Sequence, residues 1–246
     1  MDDVNEKLEI HIHEIENRPT IVFVHGTSMG AWCWDEYFTP YFRRHGYGVC
    51  SFSMRGHGAS YGRDRMNSFG VNDFVDDCEK VIDMVRNEPI IVAHSAGAVF
   101  VLKLLNKRPD IASKVVFLCP AANKGMLKDY AKVFIGHFRA GSMERIYFSD
   151  RISDEKIALY RRKMCNISWK TSAELLKPFK LNDEIKTKQY MIVGSSSDLC
   201  VVSSDMIGLS EELSAKMVIF PEMCHMVMVD PDWEKTAEAV LEFIGI

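Results

Sequence analysis

The chain has 246 residues, a length that fits one large core of alternating strands and helices. Apolar residues make up 47% and charged residues 26%, which excludes disordered, collagen-like and disulfide-stapled classes. A net charge of −4 lacks the basic excess of a nucleic-acid binder, so no nucleic-acid partner is expected.

Residues 1–7 have neither a basic start nor an apolar signal core, and no apolar stretch reaches the roughly 18 residues of a membrane span. Leu8, Ile10 and Ile12 then alternate with Glu9, His11 and His13, the period-two pattern of a half-buried strand. Asn17, Arg18 and Pro19 turn the chain. Continuous β-branched or apolar runs follow at 20–24, 49–52, 89–92, 114–119, 190–193 and 217–220, the pattern of strands buried on both faces. Between them, apolar residues recur three and four apart at 34–44, 72–85, 96–106, 204–213 and 233–244, which predicts helices. Alternating strands and helices imply right-handed crossovers and a mostly parallel sheet of seven or eight strands.

One stretch breaks this rhythm. Residues 123–185 hold only short amphipathic pieces separated by Gly136, Gly141 and Pro178, and read as a helical lid inserted between two late strands. The expected organisation is a core of residues 1–122 and 186–246 with a lid of residues 123–185. Residues 121–185 carry thirteen Lys and Arg against eight Asp and Glu, a net +5 that leaves −9 on the rest. Cys33, Cys50, Cys78, Cys119, Cys165, Cys200 and Cys224 are odd in number, show no CxxC spacing and lie mostly in apolar runs. They read as buried free thiols of a reducing, cytoplasmic protein.

The strongest local signal is Ile91-Val92-Ala93-His94-Ser95-Ala96-Gly97-Ala98, a buried strand running into a serine flanked by small residues and then a helix. Small neighbours let strand and helix backbones nearly touch around a strained serine. The helix's positive end then faces the oxygen that becomes negative during acyl transfer. His25, Gly26 and Thr27 end the 20–24 run, Arg55-Gly56-His57-Gly58 follows the 49–52 run, and Gly194 to Asp198 closes the 190–193 run. Glu222-Met223-Cys224-His225 closes the 217–220 run.

Together these segments resemble the α/β-hydrolase fold superfamily, in the manner of a serine esterase or lipase-like member, with Ala93 for the first elbow glycine, Ser53 for an aspartate and Cys224 for a glycine. The resemblance covers nearly the whole chain and implies Ser95 as nucleophile, His225 as general base and Asp198 as the orienting acid. The amides of Thr27 and Ala96 would form the oxyanion hole, with His25 a structural histidine fixing its loop. Phe134, Phe138 and Trp169 are candidate substrate-binding residues of an apolar pocket. Hydrolysis of a small to medium, largely apolar carboxylic ester is the expected activity. C–C bond hydrolase, thioesterase and acyltransferase chemistry on the same triad, or a receptor that binds without turnover, stay open. No P-loop, dinucleotide fingerprint or Cys/His metal cluster occurs, so no cofactor or metal is implied. The expected partner is a small-molecule substrate, with the chain a monomer or homodimer.

Overall fold

The computed structural model describes residues 7–245, and of Arg139 and Ala140 the backbone alone. The strands are β1 (Glu9–His13), β2 (Thr20–Val24), β3 (Gly48–Ser53), β4 (Pro89–His94), β5 (Lys114–Leu118), β6 (Gln189–Ser195) and β7 (Lys216–Phe220). They form one seven-stranded sheet in the order β1-β3-β2-β4-β5-β6-β7, parallel except for β1 against β3. β2, β4 and β5 occupy its centre, and the apolar runs that predicted them are buried from β2 Thr20 to β5 Leu118, save at the first residues of β4 and β5.

The edges depart from expectation. β7 has only β6 as neighbour, and its residues alternate between exposed and half-buried instead of being covered on both faces. β1 buries Leu8 just before its first residue but leaves Ile12 exposed.

The helices before the insertion are α1 (Trp32–Asp35), α2 (Phe38–Arg44), α3 (Val71–Ile82) and α4 (Gly97–Lys107). One helix was expected over 34–44, but two form. Pro40 has no N–H to donate to the carbonyl of Glu36, so it is accommodated only in the first turn of a helix that starts afresh at Phe38. The segment between β5 and β6 contains α5 (Leu127–Ala140), α6 (Glu144–Tyr147), α7 (Asp154–Lys163) and α8 (Trp169–Leu175). No strand occurs there among the described residues. α9 (Ser203–Leu213) and α10 (Trp233–Ile244) complete the chain, flanking the late strands.

Two apolar clusters cover the two faces of the sheet. One packs Val22, Ile91 and Phe117 with α3 and α4, the other Phe23, Val92 and Val193 with α2 and α10. All seven cysteines are free, six of them buried and Cys165 half-buried. No helix among the described residues is long and apolar enough to cross a membrane.

Candidate active site

Parallel strands end on the same side of a sheet, so loops following neighbouring strands meet there. Ser95 follows β4, His25 to Thr27 follow β2, Asp198 follows β6 and His225 follows β7. Ser95 has φ +53°, the left-handed region that costs a non-glycine residue energy. It is held there by three backbone bonds: its N–H donates to Leu118 O at 3.0 Å, and its carbonyl accepts from Ala98 and Ala121 N–H at 3.0 Å each. A Cβ on Gly97 would sit 2.7 Å from His25 O, which explains the glycine: α4 enters almost against the β2 backbone. A Cβ on Gly26 would lie 2.8 Å from Ser95 Cβ, so the loop after β2 touches the serine.

His225 and Asp198 are both buried, with Nδ1 and Oδ2 2.8 Å apart. The other carboxylate oxygen accepts from Cys200 N–H at 2.6 Å and Val201 N–H at 3.1 Å. Burial pushes the Asp198 carboxyl up, but the neighbouring imidazole and the two amide donors outweigh it and hold the group below its ordinary range. With Nδ1 committed to the carboxylate, Nε2 is the nitrogen left for proton exchange.

His94, next to the serine in sequence, lies against His225 with ring centroids 4.6 Å apart and the planes tilted by 54°, and donates from Nε2 to the His225 carbonyl at 3.1 Å. Burial lowers its pKa to about 3, so the ring is neutral at ordinary pH. Ser95 and His225 are thus neighbours through His94, while Ser95 Oγ makes no hydrogen bond among the described residues. Thr27 and Ala96 N–H are likewise without a hydrogen-bond acceptor among the described residues. His25 is fully buried, its Nδ1 bonded to Gly26 O at 2.7 Å and its Nε2 accepting from Met54 N–H at 3.0 Å. That pinning, with a pKa driven well down by burial and by His57, gives His25 the loop-fixing role that the sequence suggested.

The His225 loop has supports that no motif announced. Asp230, fully buried, accepts from Cys224 N–H at 2.9 Å and pairs with Arg151 at 2.6 Å. Met226 N–H donates to Tyr147 O at 3.1 Å, and the Tyr147 ring lies 6.1 Å from the His225 ring. The residue at 224 need not be glycine, because Cys224 is not among the residues with positive φ. Cys119 also escaped notice: its sulfur lies with the Asp198 and His225 side-chain atoms inside a 4.8 Å group, the one such candidate metal cluster among the described residues. Burial and Asp198 push its thiol well up, so it stays protonated at ordinary pH.

Phe134, Phe138 and Trp169 are not brought to this site. They are 66%, 72% and 78% exposed, and none of them lines the five cavities formed at residues 7–12, 61–68, 72–76, 143–166 and 197–224 and their neighbours. α5 turns Asp129 and Gly136 inward and its phenylalanines outward. A cavity of about 340 Å³, bounded by Arg63, Met143, Glu144, Tyr147, Met164 and Cys165, approaches the site instead. Cys165 N–H donates to Ser28 O at 3.1 Å, joining that wall to the loop after β2. A second cavity, about 720 Å³, lies behind Cys224, Ser197 and Leu199.

An open, mostly parallel sheet with a strained serine at the carboxyl end of its central strand is the frame of α/β-hydrolase enzymes, and this chain is one of them. It belongs to the Hydrolase_4 family, described as serine aminopeptidase, S33, whose profile matches residues 15–232. A candidate chloroplastic methylesterase 12 of Arabidopsis thaliana is 29% identical over 103 residues, 40% of this chain and 28% of that relative's length. Among solved structures, an esterase from Exiguobacterium antarcticum superposes with a TM-score of 0.77 at 18% identity, covering 96% of each chain. A bromoperoxidase from Bacillus anthracis gives 0.74 at 18% identity, covering 96% of this chain and 95% of its own. One fold carries both titles, so these two likenesses speak to architecture and not to chemistry.

Proposed function

We propose that the chain hydrolyses a small to medium, largely apolar carboxylic ester through an acyl-enzyme, with Ser95 as nucleophile, His225 as general base and Asp198 as its orienting acid. The observation that carries this reading is the buried 2.8 Å His225–Asp198 bond, which leaves Nε2 free for proton exchange at the end of the sheet that also carries the strained serine. Ser95 Oγ attacks the carbonyl carbon as its proton passes to His225 Nε2. The Thr27 and Ala96 amides receive the oxyanion. His225 then returns the proton to the departing alcohol, and water, activated by the same imidazole, releases the acid and regenerates the serine. The Ser95–His225 hydrogen bond forms when substrate fills the site, as catalytic bonds commonly tighten on binding.

In this reading residues 123–185 are a cap over a core of residues 1–122 and 186–246, and substrate enters by the cavity beside Tyr147. The methylesterase relative supports ester chemistry.

A fluorophosphonate probe tests the nucleophile. The native chain should label and Ser95→Ala should not; a folded native chain that fails to label would remove the mechanism. Across short to medium p-nitrophenyl esters, kcat/KM should rise with acyl length, and a flat or falling series would reject an apolar acyl site.

A further inference from the structure

The side of α5 that faces away from the core is apolar. Leu127, Ala131, Phe134 and Phe138 fall at i, i+4, i+7 and i+11, one stripe of a helix, and all four are exposed. Phe134 and Phe138 pack edge to face at 5.1 Å, so they form a fixed aromatic ridge. The start of the helix is tied to the end of α8, where Met126 N–H donates to Leu175 O and Tyr130 Oη to Ser172 O. Eight of the twelve large apolar side chains exposed among the described residues lie within residues 123–185, about a quarter of the chain. A concentration of this kind marks an interaction surface.

We infer that this face docks on the surface of an anionic lipid bilayer, inserting Leu127, Phe134 and Phe138 at the headgroup boundary. The occupant is chosen by charge and shape. Residues 121–185 carry +5 against −9 elsewhere, so an anionic surface attracts this end of the molecule and repels the other. Lys124 and Lys128 flank the Leu127 end of the ridge and are more than half exposed, their ammonium groups each within reach of one carboxylate, Glu212 and Asp205. A second copy would bring +5 against +5. A peptide would need a groove, and the two phenylalanines stand 66% and 72% exposed on a projecting helix face. A convex apolar ridge with basic flanks is what an interfacial helix presents to lipid.

The docking does not depend on Ser95 chemistry. The full chain is sedimented with vesicles of phosphatidylcholine alone and of phosphatidylcholine mixed with phosphatidylglycerol. Binding should require phosphatidylglycerol and weaken with added salt. The double variant Phe134→Ser/Phe138→Ser should keep the native melting temperature, since both side chains are exposed, and lose about tenfold or more in partition. Ser95→Ala should bind as the native chain does. Vesicle binding without probe labelling would leave the docking in place while removing the esterase reading. No binding to the mixed vesicles, or equal binding by the double variant, would overturn the inference. So would a dimer in size-exclusion chromatography that the double variant dissolves, because the face would then belong to a second copy.

Discussion

Asp198 shows how one side chain can serve two demands. Its Oδ1 closes the 198–201 turn through two amide donors, while Oδ2 faces His225 Nδ1. In Asp198→Asn the oxygen can keep the turn, but the amide NH2 then faces Nδ1 and makes that nitrogen the acceptor. The imidazole proton moves to Nε2, where it cannot receive the serine proton. The expected result is a fall in kcat of about 10⁴ with little change in KM; a loss below tenfold in steady-state assays would mean that the carboxylate does not set the tautomer. The same substitution should alter acid stability. The folded carboxyl lies below its ordinary value, so its contribution is present above about pH 3.9 and is lost as pH falls through the folded pKa. Asp198→Asn should therefore flatten the acid limb of a Tm–pH curve below about pH 4.

α5 is tied to this turn by Asp129, which is buried and accepts from Val202 N–H at 2.8 Å. Burial first, then the nearby Asp205 and Asp198, raise its pKa to about 6 against the opposing pull of that amide. The unfolded chain releases this proton near pH 4 while the folded chain keeps it, so stability should decline as pH climbs from about 4 to about 6. Asp129→Asn keeps the acceptor and cannot ionise. Its Tm should lack that slope, and an unchanged slope would assign the titration elsewhere.

A second tie joins the loop after β3 to α3. Arg55 makes a fork to Asp77, whose Oδ2 also accepts Arg55 N–H at 2.8 Å. Asp77→Ala removes the buried fork and leaves Asp73, at 3.0 Å from Nη1, as the carboxylate beside the guanidinium; it should cost about 2 kcal/mol in urea unfolding, and a cost under about 0.5 kcal/mol would make the fork dispensable.

Ties of this kind mark the limit of what the sequence discloses. Ser95, Asp198 and His225 were legible because each follows an apolar run, and parallel strands deliver the loops after them to one end of the sheet, where Asp198 and His225 meet at 2.8 Å. Asp230 and Cys119 were not, since the pairing of Asp230 with Arg151 and the approach of Cys119 to Asp198 arise only when distant segments pack. Phe134, Phe138 and Trp169 misled because aromatic content says nothing of which helix face turns inward. The exposed β7 followed from its place at the sheet edge, which its own residues do not reveal.

At the scale of the molecule, charge is divided between the proposed cap and the core, +5 against −9, and this division was readable by counting. The cavity beside Tyr147 opens on the basic side. Arg63 lines it with its guanidinium on Met164 O, and Arg161 lines it paired with Glu144. A field of this shape speeds the approach of an anion and leaves a neutral molecule unaffected. Two esters with the same acyl group, one with an anionic leaving group and one neutral, separate that effect from the chemistry of acylation. Raising ionic strength from about 0.01 M to about 0.15 M shortens the screening length from ~30 Å to ~8 Å, enough to uncouple charges spread across the cap from an approaching ligand. The expected outcome is a severalfold fall in kcat/KM for the anionic ester with kcat unchanged, and no change for the neutral one. Parallel falls for both esters would trace the salt effect to folding or chemistry and deny the cap any steering role.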